Sequence, residues 1–151
     1  MKKKKVKKRA GKVIHSAVSR HAIEKAKEIR ARYGPVIDYP AMLQILDDRK
    51  SIRYPLELRF VSNGIEPGLF GKTEPVSDTP EDGYIVSLHR RFEDQPEVLP
   101  ALILYQSVLV NYGDLATADD AELFGSAVLD MPRDDYHAQI AALTDSLWLA
   151  D

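Results

Sequence analysis

Cysteine is absent from the 151 residues of this chain, which excludes disulfides, thiolate metal ligands and a cysteine nucleophile. Long hydrophobic runs are absent too. The longest, Ala101 to Tyr105, is far short of the ~20 residues that span a bilayer. No apolar stretch follows the basic N-terminus as a secretory signal requires, so a cytoplasmic protein without membrane contact is expected. There is no G-x-S-x-G, since Ser126 lies in FGSAVL within a predicted helix. GLFGK at 68 to 72 lacks the spacing and hydroxyl of a phosphate-binding P-loop. Basic residues also run out: from Glu74 onward there are three, Arg90, Arg91 and Arg133, against sixteen acidic ones.

What is present is one domain's worth of ordinary globular composition, 44% hydrophobic and 29% charged, enough to bury a core without staples. The net charge of −2 hides an asymmetry. Lys2, Lys3, Lys4, Lys5, Lys7, Lys8, Arg9 and Lys12 lie in a stretch with no acid, leaving 13 of the 21 basic residues to face 23 acidic ones. Residues 1 to 12 therefore read as a disordered basic arm on a single globular domain, 13 to 151. The arm is a candidate polyanion grip, through which the protein would associate with nucleic acid. A solubilising tail, or one lying on its own acidic domain, is the competing reading and the favoured one.

Periodicity then orders the chain. Ala22, Ala26, Ile29 and Tyr33 fall on one face of a helix that Gly34-Pro35 closes. A second helix is predicted over residues 40 to 50, with Asp38 as N-cap and Met42, Ile45 and Leu46 buried. Strands are predicted at LELRFVS, 56 to 62, and YIVSLHRRF, 84 to 92, separated by a Gly/Pro-studded stretch that is extended in part. The exposed loop SDTPEDG lies within that stretch. Next comes LPALILYQSVLVNY, 99 to 112, with Asp94 and Glu97 as a start signal and Gly113 as a stop. Pro100 is expected to cost a hydrogen bond and disturb the first turn. Thr117 caps a further helix, and Tyr136, Ile140, Leu143 and Leu147 repeat at helical spacing in the last one. The fold class is α+β: a small, mostly antiparallel sheet on about five helices. Leu69-Phe70 and Trp148-Leu149 are candidates for exposed contacts.

The order of pieces resembles the minimal zincin-like metallopeptidases, including the ImmA/IrrE type. YIVSLHRRFEDQPEVLPALIL is similar to that family's strand, acidic link and active-site helix. GIEPGLFGKTEP is similar to its glycine-bearing edge strand, and DDAELFGSAVLDMP to its following helix. The likeness covers about residues 56 to 132. It implies a zincin-like fold, but the family's H-E-x-x-H is missing. Tyr105 and Leu109 stand where the two zinc-binding His residues fall, and Gln106 where the general base falls. A third ligand would come from the region of Asp119, Asp120 or Glu122. The resemblance therefore implies a degenerate site at Tyr105, Gln106, Leu109 and Asp120, with no metal, no cofactor and no catalytic residue. A non-catalytic binding or scaffold protein acting through a protein partner is the first reading. A hydrolase with an unrecognised site around Tyr105, Gln106 and Asp120 is a lesser one. Against both stands the plainer view that Tyr105, Gln106 and Ser107 are ordinary polar members of a buried helix. The four histidines, His15, His21, His89 and His137, show no metal-ligand spacing.

Overall fold

The computed structural model describes residues 2 to 149, with side chains described from residue 17 onward. Among the described residues there are five α-helices and a three-stranded sheet. The basic arm of residues 1 to 12, including its expected disorder, lies outside the residues whose side chains are described.

Helix α1 (Lys2–Tyr33) turns Ala22, Ala26 and Ile29 inward, all without solvent exposure. The small alanines let it lie close against α4 (Ala118–Leu129), and Arg30 Nη1 donates to the Val128 carbonyl at 2.8 Å. Helix α2 (Tyr39–Asp47) starts as expected: Asp38 Oδ1 accepts from the Ala41 N–H at 3.0 Å, and Met42, Ile45 and Leu46 are buried. The turn that follows is organised by Asp48, which accepts from the Lys50 N–H, the Ser51 and Tyr33 hydroxyls and the Arg32 guanidinium. Burial pushes this carboxyl up, but those hydrogen bonds outweigh it and hold the group well below the usual carboxylate range.

Strands β1 (Leu56–Val61), β2 (Gly71–Pro75) and β3 (Tyr84–His89) form a sheet in the order β1-β3-β2. β2 pairs antiparallel with β3, Gly71 opposite Leu88. β1 runs parallel to β3, Leu56 opposite Tyr84. The sheet is thus mixed rather than mostly antiparallel, because the chain between β1 and β3 crosses the sheet end and spends part of itself as the edge strand. Entry into β3 requires a glycine: Gly83 has φ +98°, and a Cβ there would meet the Pro55 carbonyl oxygen at 2.8 Å.

Helix α3 (Leu99–Tyr112) runs through the middle of the molecule, against β2, β3 and α4. It begins after Asp94 and Glu97 rather than at them, and its N-cap Val98 makes no side-chain cap bond. Pro100 falls in the first turn, where its missing N–H has no intrahelical acceptor to lose, so the expected disturbance does not arise. Gly113 ends the helix with φ +57°. Helix α4 carries a capping box: Thr117 Oγ1 accepts from the Asp120 N–H, and Asp120 Oδ2 accepts from the Thr117 N–H. Helix α5 (Arg133–Trp148) buries Tyr136, Ile140 and Leu147. Its Trp148 Nε1 donates to the Leu69 carbonyl at 2.8 Å, while Leu69 itself is exposed and Phe70 is buried. No helix among the described residues is long and apolar enough to cross a membrane.

Candidate functional site

Helix α3 is buried on nearly every side, and only Tyr105, Leu109 and Tyr112 reach the surface. Their i, i+4, i+7 spacing makes a single outward stripe. Tyr105 packs edge-on against Phe70, ring centroids 5.5 Å apart. Leu109 lines two concavities. One, of about 180 Å³, is closed by Tyr105 and the start of α4, Ala116 to Ala121; the other, of about 380 Å³, runs to Thr73 and Pro75 of the edge strand.

The polar letters of α3 are tied to neighbouring segments. Gln106 is 6% exposed, and its Oε1 accepts from the Thr73 hydroxyl of β2 at 2.7 Å. Ser107 donates to the Leu104 carbonyl. Asn111 accepts from the Arg53 N–H at 2.8 Å and donates to the Ser51 carbonyl at 3.1 Å. A buried side-chain amide or hydroxyl left unpaired costs about 1–3 kcal/mol, and no buried polar side-chain atom among the described residues is left so.

Tyr105, Gln106 and Leu109 line the smaller concavity together, Gln106 from a buried position. Asp120 does not join them. Its carboxylate is fully buried and turned toward α1, where Oδ1 accepts from Ser19 Oγ at 2.7 Å. The capping geometry decides this, because the third residue of the helix must direct its carboxylate back to the cap. The acid that approaches Tyr105 is Glu122. It pairs with Arg133 Nε at 3.2 Å and with His137 Nδ1, while Arg133 also pairs with Asp119 at 2.7 Å. Burial raises the Tyr105 phenol, and Glu122 and Asp119 raise it further, so it stays neutral and donor-bearing.

These residues do not fit a zinc ion. Leu109 has no donor atom, Tyr105 keeps its proton, Gln106 is committed to Thr73, and Glu122 is held by Arg133 and His137. No group of three or more His, Asp or Glu among the described residues is arranged to hold a metal. Three histidines with described side chains keep separate partners: His21 with Tyr112, His89 with the Arg91 N–H and Trp148 ring, and His137 with Glu122. His15 lies outside the described side chains.

The Glu122 contact raises the His137 pKa above 6.5, first through its hydrogen bond and then through its charge. A folded pKa above the unfolded one adds stability that is full below the unfolded value and lost as pH rises through the folded value. We expect an NMR titration to place the His137 midpoint above 6.5 and Glu122→Gln to return it toward 6.5. A native midpoint at or below 6.5 would contradict the pairing.

Sequence reasoning missed a further concavity of about 450 Å³, where α1 and the end of α3 meet residues 49 to 53. Its one local signal is RKSIR, three cations in five residues of an otherwise acidic body. No protein-family model, no curated protein and no solved structure matches the chain.

Proposed function

We propose that the protein is a non-catalytic binding module on a zincin-like scaffold, acting through a protein partner at the surface formed by α3, β2 and α4. One observation carries this reading. The outward stripe of α3 has Tyr105 and Leu109 at the spacing of the two zinc-binding His residues. Gln106 beside them is hydrogen-bonded to the edge strand, where the peptidases keep a general base. The adjacent edge supports a binding role. His89 N–H bonds the Phe70 carbonyl and Val76 N–H the Gly83 carbonyl, so by antiparallel alternation the backbone groups of Gly71 and Thr73 point away from the sheet. An extended partner segment would add there, with its side chains over Leu109 and Tyr105.

Metal content by mass spectrometry, on protein purified without chelator or metal-affinity resin, tests the reading alongside a peptide-cleavage assay. The expected result is zinc far below one ion per chain and no cleavage above background. Near-stoichiometric zinc, with hydrolysis abolished by chelator or by Gln106→Ala, would overturn it.

A further inference from the structure

The concavity between α1 and the end of α3 is lined by four cationic side chains. His21 and Lys25 reach it from α1, Arg49, Lys50 and Arg53 from the turn after α2, and Tyr112 from α3. No carboxylate lines it, although acidic residues outnumber basic ones in the chain. Lys25 pairs with the exposed Glu28 at 3.3 Å, but Arg49, Lys50 and Arg53 make no ion pair among the described residues. The nearby Asp48 is taken up by Arg32 and Tyr33 of α1.

The backbone that carries these cations is held in place. Arg49 Nη1 donates to the Ile52 and Tyr54 carbonyls at 2.9 and 2.8 Å. The 8%-exposed Asn111 fixes the Ser51 carbonyl and the Arg53 N–H from beneath, and Asp48 fixes the Lys50 N–H. Lys25 Nζ donates to the Lys50 carbonyl at 2.7 Å, which joins the helix wall to the turn. The charges of Arg49, Lys50 and Arg53 have no ion-pair partner among the described residues and repel one another, and a bound anion would offset that repulsion. Because the backbone is already fixed, little ordering cost is left for a ligand to meet.

We infer that this cleft binds a small phosphomonoester, with the phosphate between Lys50, Arg53 and Lys25 and the organic portion against Val18 and Tyr112. Several cations lining one cleft suit a dianion better than a single carboxylate. The volume is that of a small-molecule pocket, in the range of roughly 300–1,000 Å³. A small ligand is favoured over a long polyanion because the cleft's volume is that of a single small molecule. This inference is independent of the partner surface proposed above, which uses Tyr105 and Leu109 farther along the same α3 stripe and shares no lining residue with the cleft.

Titration of the full chain with inorganic phosphate, adenosine 5′-monophosphate and unphosphorylated adenosine, followed by NMR, tests it. Phosphate and the monophosphate are expected to shift the amide resonances of residues 49 to 53, 111 and 112, while adenosine alone leaves them in place. Lys50→Gln with Arg53→Gln should weaken the monophosphate at least tenfold at an unchanged melting temperature, and Lys27→Gln, exposed outside the cleft, should not. The inference is overturned if those resonances do not move or if the double variant binds equally well. It is also overturned if only single-stranded oligonucleotides bind, with affinity rising with length, because that marks a polyanion surface.

Discussion

Replacing Tyr105 and Leu109 by His and Gln106 by Glu is expected to turn this chain into a zinc-binding protein. The two new imidazoles would stand at i and i+4 on the outward stripe of α3, one turn apart, which is the spacing zinc requires of a helix. The two imidazoles would be the protein ligands, with water filling the remaining positions. The exchanges suit the site. Tyr105 and Leu109 reach solvent, so neither change opens the core, and a carboxylate at 106 still finds the Thr73 hydroxyl that now serves the amide. At a hundredfold excess of zinc over Kd the folded state gains about 2.7 kcal/mol, a rise in Tm of roughly 5–10 °C. Calorimetric titration and melting with and without zinc measure this. Tyr105→His or Leu109→His alone supplies one imidazole and should bind at least a hundredfold more weakly. A triple variant that folds but ignores zinc would show that the α3 surface is not built on the peptidase plan. The partner-surface proposal would then lose its scaffold argument.

What could be read in the letters and what could not divide along a physical line. Signals that act within one turn of helix were legible. The alanine face of α1 and the caps at Asp38 and Thr117 each depend on neighbours in sequence, and each is found. The interruptions in α3 were legible as polar residues of a buried helix, and their bonds to Thr73, Ser51 and Arg53 show what they hold. Strand direction was not legible, because alternating burial is the same in parallel and antiparallel pairs. The start of α3 was misread because Asp94 and Glu97 look like a cap, whereas Pro100 in the first turn marks the boundary. Asp120 was assigned to the wrong surface. Spacing put it near the right helix end, but its role as cap turned its carboxylate toward Ser19. The cationic cleft was beyond local reading, since α1, residues 49 to 53 and the end of α3 meet only in the fold.

Gly125→Ala should destabilise the protein by about 3 kcal/mol, against the rule that alanine replacing glycine within a helix stabilises it by about 1 kcal/mol. Gly125 lies inside α4 and faces Tyr136 of α5. A Cβ there would stand 2.3 Å from both Cζ and Oη of that ring. The ring has no easy retreat. It is fully buried, and its hydroxyl donates to the Ala101 carbonyl of α3 at 2.6 Å. Burial pushes the phenol far above its ordinary value, so the hydroxyl remains a donor. Moving the ring sacrifices that bond, and moving α4 opens the Phe124 and Val128 packing. Overpacking costs about 1–3 kcal/mol and the displaced buried hydrogen bond about 1–3 more, which outweighs the gain in helix propensity. For a domain of this size the net loss lowers Tm by roughly 6–12 °C. A double-mutant cycle decides the cause. With Tyr136→Leu in place, Cζ and Oη are gone, and Gly125→Ala should become neutral or stabilising. If Gly125→Ala raises Tm in the native background, the close seating of α5 on α4 is wrong. The consequence reaches the candidate surface, because α4 forms one wall of the Tyr105 concavity and Arg133 and His137 of α5 hold Glu122 beside it. One methyl group at position 125 would therefore loosen the wall, the acid and the tyrosine together.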